Sequence, residues 1–415
     1  MAKSKQEKQE AKQEMKKDSN GLNSNLETIN VGIVGHIDHG KTTLLERLSG
    51  KWASLHSEEL KRGITIKLGY ADIVLYKDKE GYNREGKGTP VRHISFVDAP
   101  GHEMLMATML SGAAMIDAAV LVIAANEGIK PQTIEHLMAL QAKKIKNLIV
   151  VQNKIDLVDI DKAKENYKAI KELLRGRFDN SIIIPVSAQQ KINLEKIYEA
   201  IAVMKLPERN LSGDPIFLIA RSFDINRPGT SPESLHGCVL GGTLKQGALK
   251  VGDEIEIKPG LLVKEANQFK YKPLKTKISS LFKGTKKMDE LTPGGSMSIE
   301  TELDMSIGKN DSLAGCVVSK LGRLPEQTMQ LNIKYNLFPE VYGVGGGMKV
   351  EPIKASEMLM LSVNTTMSAG IVKHIKKDIL DMSLKIPIIP FKGDNVGIAR
   401  NINNHWRLIG YGEIM

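Results

Sequence analysis

The sequence has little cysteine and no long apolar run. Its 415 residues include two cysteines, Cys238 and Cys316, which are too few for a four-thiolate zinc site and show no disulfide framework. No apolar run approaches the roughly 18 to 20 residues that span a bilayer, and the N-terminus has no apolar signal core. We therefore expect a cytoplasmic protein, not a membrane protein, whose cysteines are small core residues.

The composition is that of a globular protein with an excess of positive charge. The chain is 41% hydrophobic and 26% charged, and its length allows two to four domains. The formal net charge of +10 favours polyanionic partners, because neutralising phosphates releases their counterions. Charge alone does not separate a nucleic-acid-binding protein from other basic proteins.

Composition changes along the chain predict a tail and three domains. Residues 1–28 alternate Lys, Gln and Glu with almost nothing apolar, which is typical of a flexible charged tail. In residues 29–207, continuous apolar strands such as NVGIVG and NLIVVQN alternate with helical segments, so we predict an α/β domain with a mostly parallel sheet covered by helices on both faces. Short β-rich runs follow, and we predict two β-barrel domains over 208–325 and 326–415.

The stretch GHIDHGKTT (residues 35–43) has the spacing of a phosphate-binding loop. Two glycines, Gly35 and Gly40, precede Lys41 and Thr42 at the junction of an apolar strand and a predicted helix. Glycines permit a tight turn whose N–H groups surround a phosphate, and the helix N-terminus adds its positive dipole end. We expect Lys41 to contact the β- and γ-phosphates and the Thr42 hydroxyl to hold Mg²⁺.

Two further motifs offer groups to the same metal and phosphate. Asp98 opens DAPGH at the end of the strand HISFV, where its carboxylate faces the magnesium shell, and the amide of Gly101 can approach the γ-phosphate. RGITI (residues 62–66) offers a second hydroxyl, Thr65, to the metal. Loss of the γ-phosphate would release these contacts, which makes the nucleotide a conformational signal.

A second pair of motifs predicts guanine specificity. In NKID (residues 153–156), Asn153 can hydrogen-bond the purine, Lys154 can lie along the ring, and Asp156 can accept hydrogen bonds from N1 and the 2-amino group of guanine. Adenine has no such pair of donors. The backbone at Ser187 and Ala188 can contact the guanine carbonyl oxygen.

Taken in order, GHIDHGKT, RGITI, DAPGH, NKID and SA make the chain resemble the translational GTPases, which include elongation factor Tu. Longer stretches, among them RSFDINRPGT and LFPEVYGV, resemble the GTP-binding subunits of heterotrimeric initiation factors. The resemblance implies a G domain with two β-barrels, binding of GTP or GDP with Mg²⁺, and GTP hydrolysis that is slow without the ribosome or an activator. It also implies a carrier that brings methionyl initiator tRNA to the small ribosomal subunit and is released on hydrolysis, with alpha and beta subunits as partners.

The resemblance also assigns roles to single residues. His102 would position the attacking water, and Asp38 would assist and approach a second Mg²⁺. Thr42, Thr65 and Asp98 would serve the metal, with Asp98 acting through water. Ile37 and Ile64 would form an apolar gate. The expected nucleotide-binding residues are Asp38, His39, Gly40, Lys41, Thr42, Thr43, Gly101, Asn153, Lys154, Asp156, Ser187, Ala188 and Gln189.

The chain departs from the family in one segment. Many members have a cysteine-rich zinc knuckle between RGITI and DAPGH, but this chain has YKDKEGYNREGKGTPVRH there and no thiol. We therefore predict no zinc. For tRNA, Tyr70 is a candidate for stacking the terminal adenine, and Arg221, Gly241 and Gly242 are candidates for shaping the amino-acid pocket.

Three other functions stay open at this point. They are an elongation-type carrier of any aminoacyl-tRNA, a regulatory GTPase without an RNA partner, and a scaffold that binds GTP without hydrolysing it. Binding of several charged tRNAs in each nucleotide state distinguishes the first two from an initiator carrier. The effect of a His102 substitution on GTP hydrolysis distinguishes the third, non-hydrolysing scaffold from a GTPase.

Overall fold

Continuous apolar strands in the first half of the chain and alternating strands in the second half produce two kinds of sheet. We describe them from a computed structural model that covers residues 26–50, 69–98, 110, 112–266, 268–342 and 347–415. Within these residues, a mixed α/β sheet is followed by two rings of antiparallel strands.

The first sheet has seven strands in the order β3-β2-β4-β1-β5-β6-β7. β4, β1, β5, β6 and β7 are parallel, whereas β2 and β3 run antiparallel at one edge. The strands are β1 (Thr28–Gly35), β2 (Gly69–Lys77), β3 (Tyr82–Asn83), β4 (Thr89–Asp98), β5 (Ala118–Ala124), β6 (Asn147–Asn153) and β7 (Ile182–Pro185). The helices are α1 (Lys41–Ser49), α2 (Pro131–Ala142), α3 (Ile160–Leu174) and α4 (Leu194–Ala202).

Burial explains why these strands are apolar at successive positions. Every residue of β5 is buried, because helices cover both faces of a parallel sheet. Successive side chains alternate between two cores: Ile33 joins the core beneath α1 and α4, whereas Val34 joins the core beneath α2 and α3.

The second unit is a six-stranded ring in which β11 and β12 pair to close the order β11-β16-β8-β9-β15-β12. Its core is formed by inward side chains such as Phe217, Leu240 and Ile299. The strands of this unit are β8 (Ile216–Phe223), β9 (Val239–Gln246), β10 (Leu249–Lys250), β11 (Glu254–Glu265), β12 (Gln268–Lys283), β13 (Lys286–Met288), β14 (Glu290–Leu291), β15 (Met297–Thr301) and β16 (Val317–Lys320).

The third unit is a closed barrel with the order β17-β20-β19-β18-β21-β22. Leu361, Leu380 and Ile398 are among its buried core residues. Its strands are β17 (Thr328–Leu337), β18 (Met358–Val363), β19 (Thr366–Lys376), β20 (Ile379–Ile388), β21 (Asn395–Ile402) and β22 (His405–Ile414). We call the three units the G domain, the first barrel and the second barrel.

Buried charges join α2 of the G domain to the second barrel. Arg407 Nη1 donates to Glu135 Oε1 at 2.7 Å, and both side chains are at least nine-tenths buried. At the end of the same helix, Lys143 Nζ donates to the Ser362 hydroxyl at 3.1 Å. Burying one member of such a pair without the other is costly, so these contacts hold the two units together.

A second charged contact joins the two barrels. Lys245 Nζ of β9 donates to Asp394 Oδ1 at 2.5 Å, and Asn364 Nδ2 donates to Asp394 Oδ2 at 2.6 Å. Burial lowers the pKa of Lys143 to about 8, although the nearby Asp394 carboxylate acts in the opposite direction. The Asp394 side chain therefore lies where all three units meet.

The fold class predicted from the sequence is confirmed: a GTPase-type α/β domain precedes two β-barrels. The exact boundaries at 207/208 and 325/326 stay a prediction. Most of the predicted tail, residues 1–25, lies outside the described residues. No helix in the described part of the chain is long and apolar enough to cross a membrane.

Candidate nucleotide-binding site

The loop between β1 and α1 depends on its two glycines. Gly35 has φ +141°, and a Cβ there would lie 2.4 Å from the Val122 carbonyl oxygen. Gly40 has φ +88° and precedes the first residue of α1, where a Cβ would lie 2.4 Å from Asn153 Nδ2. Neither position accepts a side chain, so the backbone closes tightly around the space in front of α1.

Lys41 lies in the first turn of α1, and its side chain bends back over this loop. Its Nζ donates to the His36 carbonyl oxygen at 2.7 Å. Burial lowers the pKa of Lys41 to about 8, while the Asp98 and Asp38 carboxylates act in the opposite direction. An anionic phosphate in the loop would further stabilise the charged ammonium.

A hydroxyl and a carboxylate meet at the end of β4. Thr42 Oγ1 donates to Asp98 Oδ2 at 3.3 Å, and Asp98 is 1% exposed. Oxygen donors of this kind are the ligands that Mg²⁺ prefers. Asp38, the other predicted carboxylate, is exposed and has φ +60° within the loop. The chemistry of these groups fits a magnesium ion bound next to phosphates.

The Asn153 side chain connects three loops of the site. Its Nδ2 donates to the His39 carbonyl oxygen at 2.9 Å, and its Oδ1 accepts from the Ala188 N–H at 3.0 Å. The phosphate loop, the end of β6 and the loop after β7 are therefore fixed relative to one another through one amide group. Ser187 beside it is buried, and its hydroxyl accepts from the Gln190 N–H at 3.1 Å.

The other NKID residues border the same space. Lys154 has φ +60°, and its Nζ lies 3.3 Å from Glu127 Oε1. Asp156 is exposed on a short 3₁₀ helix, Ile155–Leu157. Gln189 is exposed on the neighbouring loop. The motif thus presents a lysine stem and a carboxylate to solvent, beside an amide that is fixed in place.

The His39 side chain points away from the site. It is buried, with Nδ1 3.3 Å from the Val122 carbonyl oxygen and Nε2 3.9 Å from Glu127 Oε2. Burial lowers the pKa of His39 to about 4, so its ring is neutral at neutral pH. This residue offers a ligand its backbone and not its imidazole.

Sequence reasoning missed three residues that support the loop. His136 Nδ1 accepts from the Gly35 N–H at 2.8 Å, Gln132 Oε1 lies 3.5 Å from the Ile37 nitrogen, and Glu127 contacts Lys154. Burial lowers the pKa of His136 to about 3, which keeps Nδ1 available as an acceptor. For His136, the signal in the sequence was a polar residue within the apolar segment TIEHLMALQAKK.

Several predicted site residues cannot be compared with this geometry. Thr65, Gly101, His102 and the gate residue Ile64 lie outside the described residues. Among the residues that are described, no group of three or more His, Cys, Asp or Glu side chains is placed to share a metal ion.

The predicted tRNA residues lie where β2 of the G domain meets the first barrel. Tyr70 packs against the G-domain core, and burial beside Arg221 and Asp311 raises its pKa above the ordinary value. Arg221 Nε donates to Asp311 Oδ1 at 2.9 Å. Gly241 pairs with Arg221 across β8 and β9. A Cβ at Gly242 would lie 1.9 Å from the Leu218 carbonyl oxygen, so close strand packing also requires this glycine.

Comparison with known families agrees with this geometry. Residues 26–207 match the elongation factor Tu GTP binding domain, and residues 329–414 match the C-terminal domain of initiation factor eIF2 gamma. The α/β domain, its site and the two barrels thus define a translational GTPase.

Relatives that align over almost the whole chain identify a particular family within the translational GTPases. Translation initiation factor 2 subunit gamma of Archaeoglobus fulgidus is 48% identical over 404 residues, which are 94% of this chain and 95% of the relative. The protein of the same name from Pyrococcus horikoshii is 48% identical over 398 residues, 93% of this chain and 97% of the relative. The chain belongs to the family of translation initiation factor 2 gamma subunits, and it is the GTPase subunit of a translation initiation factor.

Solved structures show the same fold. A bacterial selenocysteine-specific elongation factor, EF-Sec, superposes with a TM-score of 0.74 at 23% identity, covering 94% of this chain and 58% of that one. Elongation factor SelB from Methanococcus maripaludis, in complex with the GTP analogue GppNHp, gives a TM-score of 0.71 at 23% identity, covering 94% and 80%.

Proposed function

We propose that this chain is a GTP-switched carrier of methionyl initiator tRNA. It works in the cytoplasm with alpha and beta subunits and delivers the tRNA to the small ribosomal subunit. Membership of the gamma-subunit family is the observation that carries this proposal. The position of Tyr70 and Arg221 supports it, because they lie where a change in the G domain can reach the first barrel.

Binding of the nucleotide and metal rests on residues at the carboxyl ends of β1, β4 and β6. Lys41 would neutralise the terminal phosphates. Thr42 and Asp98 would hold Mg²⁺, which supplies charge compensation for the phosphate oxygens when bound. The amide of Asn153 would keep the base pocket at a fixed distance from the phosphate loop. No zinc is part of this proposal.

Hydrolysis depends on residues whose roles stay predictions. In the proposal, His102 orients the attacking water, Asp38 assists, and Thr65 and Gly101 respond to the γ-phosphate. A His102→Ala variant should bind GTP as the parent does and lose ribosome-stimulated hydrolysis. Hydrolysis at the parental rate would contradict the role of His102 and favour the non-catalytic scaffold.

Guanine recognition can be tested by exchanging a hydrogen-bond acceptor for a donor. Xanthine carries a carbonyl where guanine carries its 2-amino group, so Asp156→Asn should shift preference from GDP to xanthosine diphosphate by at least about tenfold. Titration with the two nucleotides measures the shift. Asp161→Asn, on the exposed first turn of α3, serves as the control and should keep the guanine preference. An unchanged preference in Asp156→Asn would remove this carboxylate from the base pocket.

The carrier function is tested by binding of methionyl initiator tRNA to the chain with its alpha subunit. The measurement compares a GTP analogue with GDP at two salt concentrations and includes an elongator tRNA. Tighter binding with the GTP analogue and rejection of the elongator support the proposal. Equal, salt-sensitive binding in both states would leave a regulatory GTPase without an RNA partner as the better account.

A further inference from the structure

The first barrel carries a two-stranded ribbon that extends beyond its closed ring. β11 pairs with β16 only over Ile255–Lys258, and β12 pairs with β15 only over Ile278–Lys283. Within the described part of the barrel, Leu261–Glu265 and Gln268–Lys272 pair only with each other. Five residue pairs give the ribbon a length of about 17 Å. We call these residues the basic ribbon, together with the adjoining residues 273–277 of β12, of which 274–277 pair with Glu254–Ile257 of the ring.

The ribbon has far more positive than negative charge. It contains five lysines and one glutamate, Glu265; the lysines are Lys264, Lys270, Lys272, Lys275 and Lys277. All five are exposed, and none makes an ion pair with a carboxylate of a described residue. Five other lysines of the same barrel are paired with carboxylates: Lys245 with Asp394, Lys250 with Glu290, Lys258 with Glu256, Lys309 with Asp224 and Lys320 with Asp253.

One face of the ribbon combines these charges with apolar side chains. Leu274 and Ile278 face the barrel core, so alternate residues of β12 face outward. The outward residues include Phe269, which is 68% exposed, and the half-buried Tyr271. Opposite them on β11 lie Lys264 and Leu262, and Leu262 is 52% exposed. Lys275 and Lys277 continue the same outward row, where they lie opposite Glu256 and Glu254 of β11.

Protection of a strand edge does not account for this composition. Lysines on exposed edges do prevent aggregation, but solubility would also exclude Phe269 and Leu262 from the outer face. An isolated two-stranded hairpin is only marginally stable in water. Because Phe269 and Leu262 are exposed on it, they bury little apolar surface that could stabilise it. Cationic side chains interleaved with an exposed aromatic ring match the requirements of unpaired RNA, in which bases stack on rings and phosphates meet lysines.

The ribbon lies at the start of β12, whereas the end of that strand approaches the G domain. Gly284, directly after β12, approaches the Asp72 side chain of the G domain, where an added Cβ would lie 3.2 Å away. From there back to Phe269, a straight strand spans about 50 Å. The ribbon therefore lies at the opposite end of β12 from this contact with the G domain.

We propose that the basic ribbon is an RNA-binding arm for an unpaired segment of small-subunit ribosomal RNA. Phe269 stacks on an exposed base, and Lys264, Lys275 and Lys277 contact its flanking phosphates. The choice of ribosomal RNA rests on the proposed delivery to the small subunit. The chemistry of the arm rests on the ribbon alone.

The first test uses a fluorescein-labelled single-stranded oligouridylate and the full chain. Phe269→Ala should weaken binding by about fivefold or more. The triple variant Lys264→Gln/Lys275→Gln/Lys277→Gln should reduce the salt dependence, the slope of log K against log[salt], by about two. Lys287→Gln is the matched control, because Lys287 is an exposed lysine on β13 of the same barrel. The proposal that the basic ribbon binds RNA would be overturned if Phe269→Ala bound the oligonucleotide as the parent does. It would also be overturned if Lys287→Gln lost as much affinity as the ribbon variants.

The second test identifies the source of the RNA. With purified small ribosomal subunits, Phe269→Ala and the triple variant should lose affinity while GDP binding and initiator tRNA binding stay at the parental level. Loss of initiator tRNA binding or of alpha-subunit binding instead would overturn the assignment to ribosomal RNA. Failure of the parent to bind initiator tRNA would refute the proposed carrier function. The oligouridylate measurement would still show whether the basic ribbon binds RNA.

Discussion

At the scale of single residues, the geometry of the candidate nucleotide site depends on the Asn153 amide and on the absence of a side chain at Gly40. Asn153 contacts both the His39 carbonyl and the Ala188 N–H, and this is possible because Gly40 has no Cβ. A methyl group at residue 40 would occupy the place of Asn153 Nδ2. The phosphate loop and the base-binding motif are therefore coupled through contact and not only through a shared ligand.

This coupling predicts the effect of Gly40→Ala. The methyl group should displace Asn153 and reduce GDP affinity by at least about tenfold, as measured by titration with a fluorescent GDP analogue. Gly86→Ala separates contact from backbone strain, because Gly86 has a similar φ of +81° and an added Cβ there would have nothing within 4 Å. If Gly86→Ala weakens GDP binding equally, the steric explanation is wrong.

At the scale of elements, α2 connects the phosphate loop to the second barrel. Gln132 and His136, four residues apart, share a face and contact the loop. Glu135, on a different face, pairs with Arg407. Every one of these polar side chains lies on a helix that is otherwise part of a hydrophobic core.

The elements themselves were predictable, whereas this connection was not. Gly35, Lys41 and Asp98 could be proposed as site residues from the sequence, because the pattern of each short segment reflects local geometry. His136 lies about a hundred residues from Gly35, and no local pattern links the two. The sequence HLMALQAKK has the apolar content of a core helix, but periodicity does not reveal which distant backbone group a buried histidine meets.

The buried imidazole of α2 predicts a dependence of stability on pH. Burial lowers the pKa of His136 from its ordinary value of 6.5 to about 3, with Lys41 and His36 as the charged neighbours that act in the same direction. Between these values the unfolded chain binds a proton that the folded chain does not. The free energy of unfolding should therefore fall as the pH decreases below about 6.5, by up to about 1.4 kcal/mol per pH unit.

The variant His136→Asn keeps an acceptor for the Gly35 N–H and removes the titrating ring. Urea unfolding at several pH values between about 4 and 7.5 should give a flatter dependence than in the parent. Parallel curves for the two proteins would show that His136 does not titrate on unfolding.

At the scale of the whole molecule, the buried pair Glu135–Arg407 couples two domains. Arg407→Met removes the guanidinium that pairs with the buried Glu135 carboxylate and should destabilise the protein by about 3 kcal/mol or more. Replacing both partners, with Glu135→Leu added, should recover most of this loss because no charge then stays buried. Chemical denaturation of both variants measures the difference.

A matched arginine within the second barrel tests whether the effect crosses domains. Arg400 pairs with Glu357 at 2.5 Å, and both belong to the second barrel. Arg400→Met should lower the stability of that barrel alone, whereas Arg407→Met should lower the unfolding transitions of the barrel and of the G domain. Identical effects of the two substitutions on the G domain would contradict the coupling through α2.

The charge contacts of α2 also set an order of events during synthesis. Glu135 and Lys143 leave the ribosome about 250 residues before Asp394 and Arg407 do. At 5 to 20 residues per second, this interval is roughly 13 to 50 s. During this interval, the side chains of Glu135 and Lys143 have no second barrel to contact. Water has to solvate these charges on that face of α2 until the last strands of the second barrel are complete.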